Sequence, residues 1–215
     1  MWVGPATHDD VQEEFDSLFN KTLQLPGDVY LLADAHSIEK FACEKAAQRG
    51  KCLPPDFAGL PMSKYLQCLL PPGAMLRLSQ YESARPQREG LAGHYMVDLD
   101  HNISFGPRSG PEMPALDTHP TIYSFQMERL VLAEEMLAAQ GIDMFEDLAG
   151  SRGISPLKDI FSSFSESELR FFAVNSLHVP TYGAWLMYAM GNVVPRDDKL
   201  PRPLLCPADE EEEDD

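Results

Sequence analysis

The N-terminal part of the chain has apolar residues at helical spacing. From 9 to 23 they recur every three or four positions between acidic residues, which predicts an amphipathic helix ended by a Pro-Gly pair. Residues 37–50 repeat the pattern, with a serine near the start and a glycine just past the end, as in a capped helix. Two more helical stretches are predicted at 62–70 and 76–84. We therefore expect residues 1–93 to form a helical region.

A different pattern begins at residue 94. The segment 94–99 alternates like a short strand, and 121–125 has the composition of a second strand. Glycine and proline residues are frequent between them, which indicates loops. Residues 94–125 are therefore predicted to be a loop-rich region that contains strands.

Helical patterns return in the C-terminal region, residues 126–200. An apolar face runs from 130 to a terminating glycine at 141, and a Ser-x-x-Glu sequence at 165–168 has the spacing of a capping box. The segment 183–190 is apolar nearly all round, which favours a helix covered on several sides. Either the preceding helices or a partner must supply that cover.

Together these elements predict an α+β fold that is mainly helical, with a small sheet of two or three strands and no complete Rossmann domain. The last segment, 201–215, ends in seven consecutive acidic residues from Asp209 to Asp215. Such a run is typical of a solvated, disordered tail, and binding of a basic partner is the less favoured interpretation.

Charge and cysteine content narrow the function classes. Acidic residues number 34 against 17 basic ones, so the surface as a whole repels nucleic acid. Four cysteines without a Cys-x-x-Cys pair indicate free thiols in a reducing compartment. The chain shows no signal-peptide pattern and no stretch near 18 consecutive apolar residues. We expect an intracellular protein, nuclear or cytoplasmic, without a membrane segment.

Two segments of the C-terminal region resemble conserved blocks of a known enzyme family. The first contains, in order, Arg129, Val131, Leu132, Glu135 and Gln140-Gly141-Ile142. It is similar to the ninth block of the cytosine-5 DNA methyltransferases, in which such residues run along one helix. The second, from Val174 to Pro180 and into the apolar helix, resembles the tenth block, whose turn opens the closing helix of the enzyme. Residues 101–123 are similar to the variable segment that precedes the ninth block in divergent algal and protist versions.

The resemblance implies the recognition region and closing blocks of such an enzyme, truncated or split from the catalytic half. The sequence has no Phe-x-Gly-x-Gly loop for the methyl donor, no Pro-Cys nucleophile and no Glu-Asn-Val. Leu132, Ile142 and Val174 also stand where the family has Thr, an aromatic residue and Gly. We therefore expect no catalytic residue and no methyl transfer by this chain alone. S-adenosylmethionine is expected only where a partner supplies the catalytic half.

The resemblance also assigns roles to individual residues. Asn175 and Ser176 would lie nearest the methyl donor, with a helix cap as the equal alternative for Asn175. Arg129 and Glu135 would be structural, or would form a solvated or ion-paired helix surface. DNA contact would fall on a few local basic positions, for which ordinary surface charge is the favoured alternative. These positions are Arg77, Arg85, Arg88 and Arg108.

Other chemistry has weaker support. The six histidines include no His-x-x-x-His pair, which disfavours a zinc site. Asp98, Asp100 and His101 cluster at a predicted strand end and suit a divalent ion or hydrolysis, although turn formation is the favoured interpretation. The alternative function, from another class, is an acidic adaptor that binds a partner through the helix at 183–190 and the acidic tail.

Overall fold

The structure is a computed structural model, and it describes residues 2–19, 25–85, 93–104, 109–117, 120–146 and 156–193. Within these residues the α-helices are α1 (His8–Phe19), α2 (Ala35–Gln48), α3 (Leu66–Leu69), α4 (Pro72–Ala84), α5 (Ala133–Ala139), α6 (Leu157–Phe161), α7 (Glu166–Asn175) and α8 (Val179–Gly191). Short 3-10 helices span Gly27–Tyr30, Phe57–Gly59 and Met62–Lys64.

One antiparallel sheet joins four short strands in the order β2-β1-β3-β4. The strands are β1 (Met96–Asp98), β2 (Ser109–Gly110), β3 (Ile122–Ser124) and β4 (Arg129–Leu130). The register of the central pair places Met96 opposite Ser124 and Asp98 opposite Ile122. The predicted fold class is confirmed: the protein is mainly helical with a small sheet, and β1 and β3 lie inside the two predicted strand segments.

The residues fall into two compact units. We call residues 22–182 the central unit, and we call 1–21 together with 183–215 the terminal unit. The central unit contains α2 to α7, the sheet and the first turn of α8. Among the described residues, the terminal unit contains α1 and the rest of α8.

The sheet of the central unit is covered on both faces. Val97 and Tyr123 point into a cluster with buried side chains of α2, α3 and α4. Their neighbours Met96 and Ile122 point into a second cluster with side chains of α5, α6 and α7. Because both faces are covered by helices, every residue of β1 and β3 is buried, as in a three-layer arrangement.

The terminal unit is built around one phenyl ring. Phe15 of α1 stacks on Trp185 of α8, with ring centroids 3.7 Å apart, and meets Tyr188 edge to face. The Tyr188 hydroxyl donates a hydrogen bond to Glu14 Oε2 over 2.7 Å. An antiparallel β-bridge between Trp2 and Val193, whose side chains are exposed, joins the two ends of this unit.

Several predicted details are confirmed and one is wrong. Ser165 begins α7 as its N-cap and forms the predicted capping box with Glu168. The predicted helix that carries Arg129 does not form there, because α5 begins only at Ala133. The preceding residues run along the edge of β3, where the Val131 N–H donates to the Ile122 carbonyl. Pairing with the sheet therefore replaces the first predicted helical turn.

Two further findings concern the whole described structure. None of the helices in the described residues is long and apolar enough to cross a membrane. Cys43, Cys52 and Cys68 are free thiols, as predicted, and Cys206 lies outside the described residues.

Candidate functional site

The segment that resembles the ninth block is held by a buried ion pair. Arg129 on β4 donates two parallel hydrogen bonds to Glu135 on α5, from Nη1 to Oε2 over 2.9 Å and from Nη2 to Oε1 over 2.6 Å. The side chains are 7% and 0% exposed. The expected structural role is thus supported, but the alternative of a solvated helix surface is wrong, because the pair is buried and joins a strand to a helix.

Each oxygen of the Glu135 carboxylate accepts two hydrogen bonds. Oε2 also accepts from the Leu132 N–H over 2.9 Å, and Oε1 accepts from the Ala33 N–H over 3.0 Å. Four donors satisfy this buried anion, which is the condition for a buried ion pair to be tolerated. Glu135 therefore anchors the segment before α2 to the start of α5.

The segments that resemble the ninth and tenth blocks touch each other. The Val179 N–H at the start of α8 donates to the Gln140 carbonyl at the end of α5 over 2.8 Å. Gly141 has φ +85°, and a Cβ there would lie 2.5 Å from Pro180 Cδ. Only glycine combines this backbone conformation with so close a neighbour. We call this contact, formed by residues 140–141 and 179–180, the block junction.

Asn175 and Ser176 lie at the end of α7, three residues before α8 begins. Asn175 Nδ2 donates to the Phe171 carbonyl over 2.8 Å, and Ser176 Oγ donates to the Ala173 carbonyl over 2.9 Å. Both side chains thus satisfy carbonyls at the C-terminal end of α7. Asn175 is the last residue of α7, and Ser176 is its C-cap residue. Donor binding by either residue remains a prediction.

His178 is a residue of this region that the sequence did not single out for a role. Its Nδ1 lies 2.7 Å from the Thr181 hydroxyl and 3.4 Å from the Thr181 backbone nitrogen, as expected of a side chain that caps the start of α8. A cavity of about 510 Å³ opens beside it. The polar groups of its lining come from Tyr30, Glu112, Gln140 and His178.

This cavity, which we call the junction cavity, has both polar and apolar groups in its lining. Its remaining lining is mostly apolar, from the segment 113–116 and Ala139. A few polar groups on an apolar wall are typical of small-molecule sites. No sequence pattern predicted this cavity, because its walls come from four separate stretches of the chain.

A second cavity, of about 350 Å³, lies between α2 and α7. The Lys45 ammonium sits over the Phe41 ring at 5.6 Å, and burial, followed by the nearby Arg170, lowers the pKa of Lys45. On the opposite wall Glu166 Oε1 accepts from Arg170 Nη2 over 2.8 Å and from the Ala133 N–H over 2.9 Å. Burial raises the pKa of Glu166, although its partners oppose that shift. Glu166 therefore caps the start of α5 and ties it to α7.

Two of the four predicted DNA contacts, Arg77 and Arg85, lie in the described part of the chain. Arg77 donates from Nε to the Leu99 carbonyl, and the Arg85 guanidinium lies 5.4 Å from the centroid of the Phe125 ring. Arg88 and Arg108 lie outside the described residues. Both described arginines therefore have contacts within the fold, and DNA binding by the four remains a prediction.

The acidic cluster near β1 forms a turn. Asp98 is buried, and its Oδ1 accepts from the Asp100 N–H over 2.9 Å, which is the favoured turn interpretation. The His101 Nε2 lies 2.9 Å from Asp117 Oδ2 and 3.6 Å from Asp98 Oδ2. Across the described ranges, no group of three or more His, Cys, Asp or Glu side chains is arranged to hold a metal ion.

Comparisons of the chain with protein-family models, with curated proteins and with solved structures find no match.

Proposed function

We propose that the chain is the non-catalytic part of a cytosine-5 DNA methyltransferase-like protein, and that it needs a catalytic half to act. The observation that carries this proposal is the block junction. Two segments that resemble the ninth and tenth blocks in sequence meet at Gly141 and Pro180. The resemblance assigns the ninth block to the recognition region and the tenth to the closing helix, so this contact would join those two parts.

The residues of the chain fit a supporting role. The Arg129 and Glu135 pair fixes β4 to α5, and the block junction fixes α5 to the start of α8. The junction cavity beside Gln140 and His178 offers binding groups, and its lining contains no cysteine. The cysteine nucleophile and the donor loop of the family would come from the catalytic half, and S-adenosylmethionine would bind only to the completed protein. An intracellular location, nuclear or cytoplasmic, goes with this role.

The experiment measures transfer of a tritiated methyl group from S-adenosylmethionine to duplex DNA. The purified chain alone is expected to transfer none. A cytosine-5 methyltransferase deleted of its own recognition region and closing blocks is then added, and incorporation is expected to rise above that of either part. Methyl transfer by the chain alone contradicts the proposal. So does a mixture that stays inactive while circular dichroism shows the chain to be folded.

A matched pair of glycine variants sharpens this test. Gly141→Ala disturbs the block junction, whereas Gly50→Ala changes a glycine with φ +62° and no neighbour within 4 Å of the added carbon. Both variants bear the strain of a positive φ. Only Gly141→Ala is expected to reduce complementation.

The second candidate is an acidic adaptor, and a specific observation favours it. Leu186, Met187 and Met190 of α8 are largely exposed even though they are apolar. The test is binding of a dye that fluoresces on apolar surfaces. The wild-type chain is expected to bind the dye, and a Met187→Glu, Met190→Glu double variant is expected to lose most of the signal. A monodisperse monomer that binds no dye contradicts the adaptor role.

A further inference from the structure

The cavity of about 350 Å³ between α2 and α7, which we call the lysine cavity, is bordered by two aromatic rings. Phe41 of α2 belongs to the core and is 4% exposed, whereas Phe171 of α7 is 63% exposed. The two rings thus provide an apolar wall that solvent can reach. A cavity of this size is within the range that holds small organic molecules.

Lys45 brings a positive charge without an ion-pair partner to this apolar wall. Its side chain is half-buried, and the ammonium lies 5.6 Å from the centroid of the Phe41 ring. Among the described residues, no carboxylate lies within 4 Å of this ammonium. Glu44 and Glu166 also border the lysine cavity, but neither forms an ion pair with Lys45.

The surroundings of Lys45 compensate its charge only in part. Burial lowers the pKa of Lys45, and the positive charge of Arg170 adds to this effect. Glu166 and Asp100 oppose it. Glu166 is already engaged, because its Oε1 accepts hydrogen bonds from Arg170 Nη2 and the Ala133 N–H. An anion bound beside Lys45 would therefore offset the cost of holding this ammonium away from water.

We propose that the lysine cavity binds a small organic molecule that joins one carboxylate to an aromatic ring. The carboxylate pairs with the Lys45 ammonium, and the ring lies against Phe41 and Phe171. A single negative charge suits the cavity better than a phosphate dianion, because the Glu44 and Glu166 carboxylates border the same space and repel added charge. A cation would leave Lys45 without a partner. This binding site does not depend on either function proposed above.

The test uses 4-fluorophenylacetate as the probe and follows its fluorine-19 signal while the full chain is titrated into it. Saturable broadening of the signal is expected, and a signal that the chain leaves unchanged overturns the proposal. Two control probes keep the fluorinated ring: 4-fluorophenylacetamide has no charge, and 4-fluorophenethylamine has the opposite charge. Both are expected to bind about tenfold more weakly or worse. Equal binding by the amide overturns the proposal, because the ring alone would then explain the affinity.

Competition tests the contribution of the ring. Unlabelled phenylacetate is expected to displace the probe, whereas acetate, which has the charge without the ring, is expected to be about tenfold less effective or worse. Equal displacement by acetate overturns the proposal, because any carboxylate would then satisfy the site.

Variants locate the binding site. Lys45→Gln is expected to weaken binding of the probe about tenfold or more. Lys51→Gln is the matched control, since Lys51 is an exposed lysine just past the end of α2, and it is expected to change affinity by less than about twofold. Phe171→Ala changes an exposed ring and is expected to weaken binding roughly threefold. Equal affinities of the two lysine variants overturn the proposal.

Thermal unfolding separates ligand binding from a structural role of Lys45. Because burial of an unpaired ammonium is unfavourable, Lys45→Gln is expected to unfold at the same temperature as the wild type or higher. The probe is expected to raise the unfolding temperature of the wild type and to leave that of Lys45→Gln in place. Lys45→Arg, which keeps the charge, is expected to recover part of the affinity. Loss of binding together with a lower unfolding temperature of Lys45→Gln assigns Lys45 to the fold and overturns the proposal.

Discussion

The central unit and the terminal unit bury their apolar residues to different extents. In the central unit helices cover both faces of the sheet, and the buried Arg129 and Glu135 satisfy each other with help from two backbone N–H groups. In the terminal unit two helices meet around Phe15, and Leu186, Met187 and Met190 of α8 stay exposed to solvent. The central unit therefore completes its own core, whereas the terminal unit leaves apolar side chains uncovered.

The largest loss of unfolding free energy is expected in the core of the central unit. Glu135→Gln removes the negative charge from the buried pair and leaves Arg129 as an uncompensated buried cation, at a cost of about 3–5 kcal/mol of unfolding free energy. Urea unfolding followed by circular dichroism measures it. Glu134→Gln is the control, because burial raises the pKa of this half-buried neighbour and neutralisation should cost little. Equal losses of unfolding free energy in the two variants would mean that the buried ion pair stabilises the fold no more than the neighbouring Glu134 carboxylate does.

The next largest loss of unfolding free energy is expected in the terminal unit. Phe15→Ala removes the ring that stacks on Trp185 and should cost roughly 3 kcal/mol, as for other buried phenylalanines. Both tryptophans of the chain, Trp2 and Trp185, lie in this unit, so tryptophan fluorescence during urea unfolding reports on it. Leu18→Ala, an exposed position on the same helix, is expected to change stability by less than about 0.5 kcal/mol. A comparable loss at Leu18 would show that the terminal core extends beyond Phe15.

A smaller difference in unfolding free energy is expected between variants of two glycines of the central unit, Gly50 and Gly141 of the block junction. Gly50→Ala should cost about 1–2 kcal/mol, which is the strain of a positive φ in open space. Gly141→Ala should cost roughly 1–3 kcal/mol more, because its Cβ would also press on Pro180. Chemical denaturation of the two variants measures the difference. Equal costs would mean that Pro180 moves away from the added methyl group with little loss of stability.

The smallest effect is the pH dependence of the central unit. Hydrogen bonds from Ser37 lower the pKa of Asp34, and hydrogen bonds from Ser165 lower that of Glu168. These carboxylates stabilise the fold above their unfolded pKa values of about 4, and the contribution is lost as pH falls through their lower folded values. Burial raises the pKa values of Glu134 and Glu166, so protonation there favours the fold as pH falls through those raised values.

The four carboxylates together predict that thermal stability rises slightly from neutral pH into mild acid and then falls below about pH 4. Thermal unfolding at several pH values measures this profile. Glu134→Gln should flatten the rise. Asp34→Asn, which keeps a capping oxygen, should reduce the fall. A profile that both variants leave unchanged would assign the pH dependence to other groups.

The sequence predicted the fold class because helical periodicity and turn residues are local signals. It missed β4, since the apolar residues between Leu130 and Leu137 fit a helical period, whereas the edge of β3 offers hydrogen bonds that only the folded sheet reveals. An ion pair was among the interpretations of Arg129 and Glu135 from the sequence, but its burial was not predicted. The Ala33 N–H that completes it lies 102 residues away in sequence.

The candidate site was predictable only in part. The resemblance selected Gln140, Gly141 and Pro180, which the structure brings together, but no pattern indicated that His178 and Tyr30 would line one cavity. Cavities of this kind depend on how separate segments approach each other, and that information is not local. The basic positions at 88 and 108 lie outside the described residues, so the structure adds nothing to their prediction.

The pairing of Glu14 with Tyr188 spans 174 positions of the chain, which has a consequence for synthesis on the ribosome. Helix α1 emerges early, yet its packing partner is translated only after the whole central unit, roughly ten to thirty-five seconds later at ordinary elongation rates. During that interval the Phe15 side chain has no α8 to cover it. The five carboxylates of α1 keep this segment hydrated and repel other nascent copies, so its negative charge opposes aggregation through the exposed Phe15 side chain until α8 has been made.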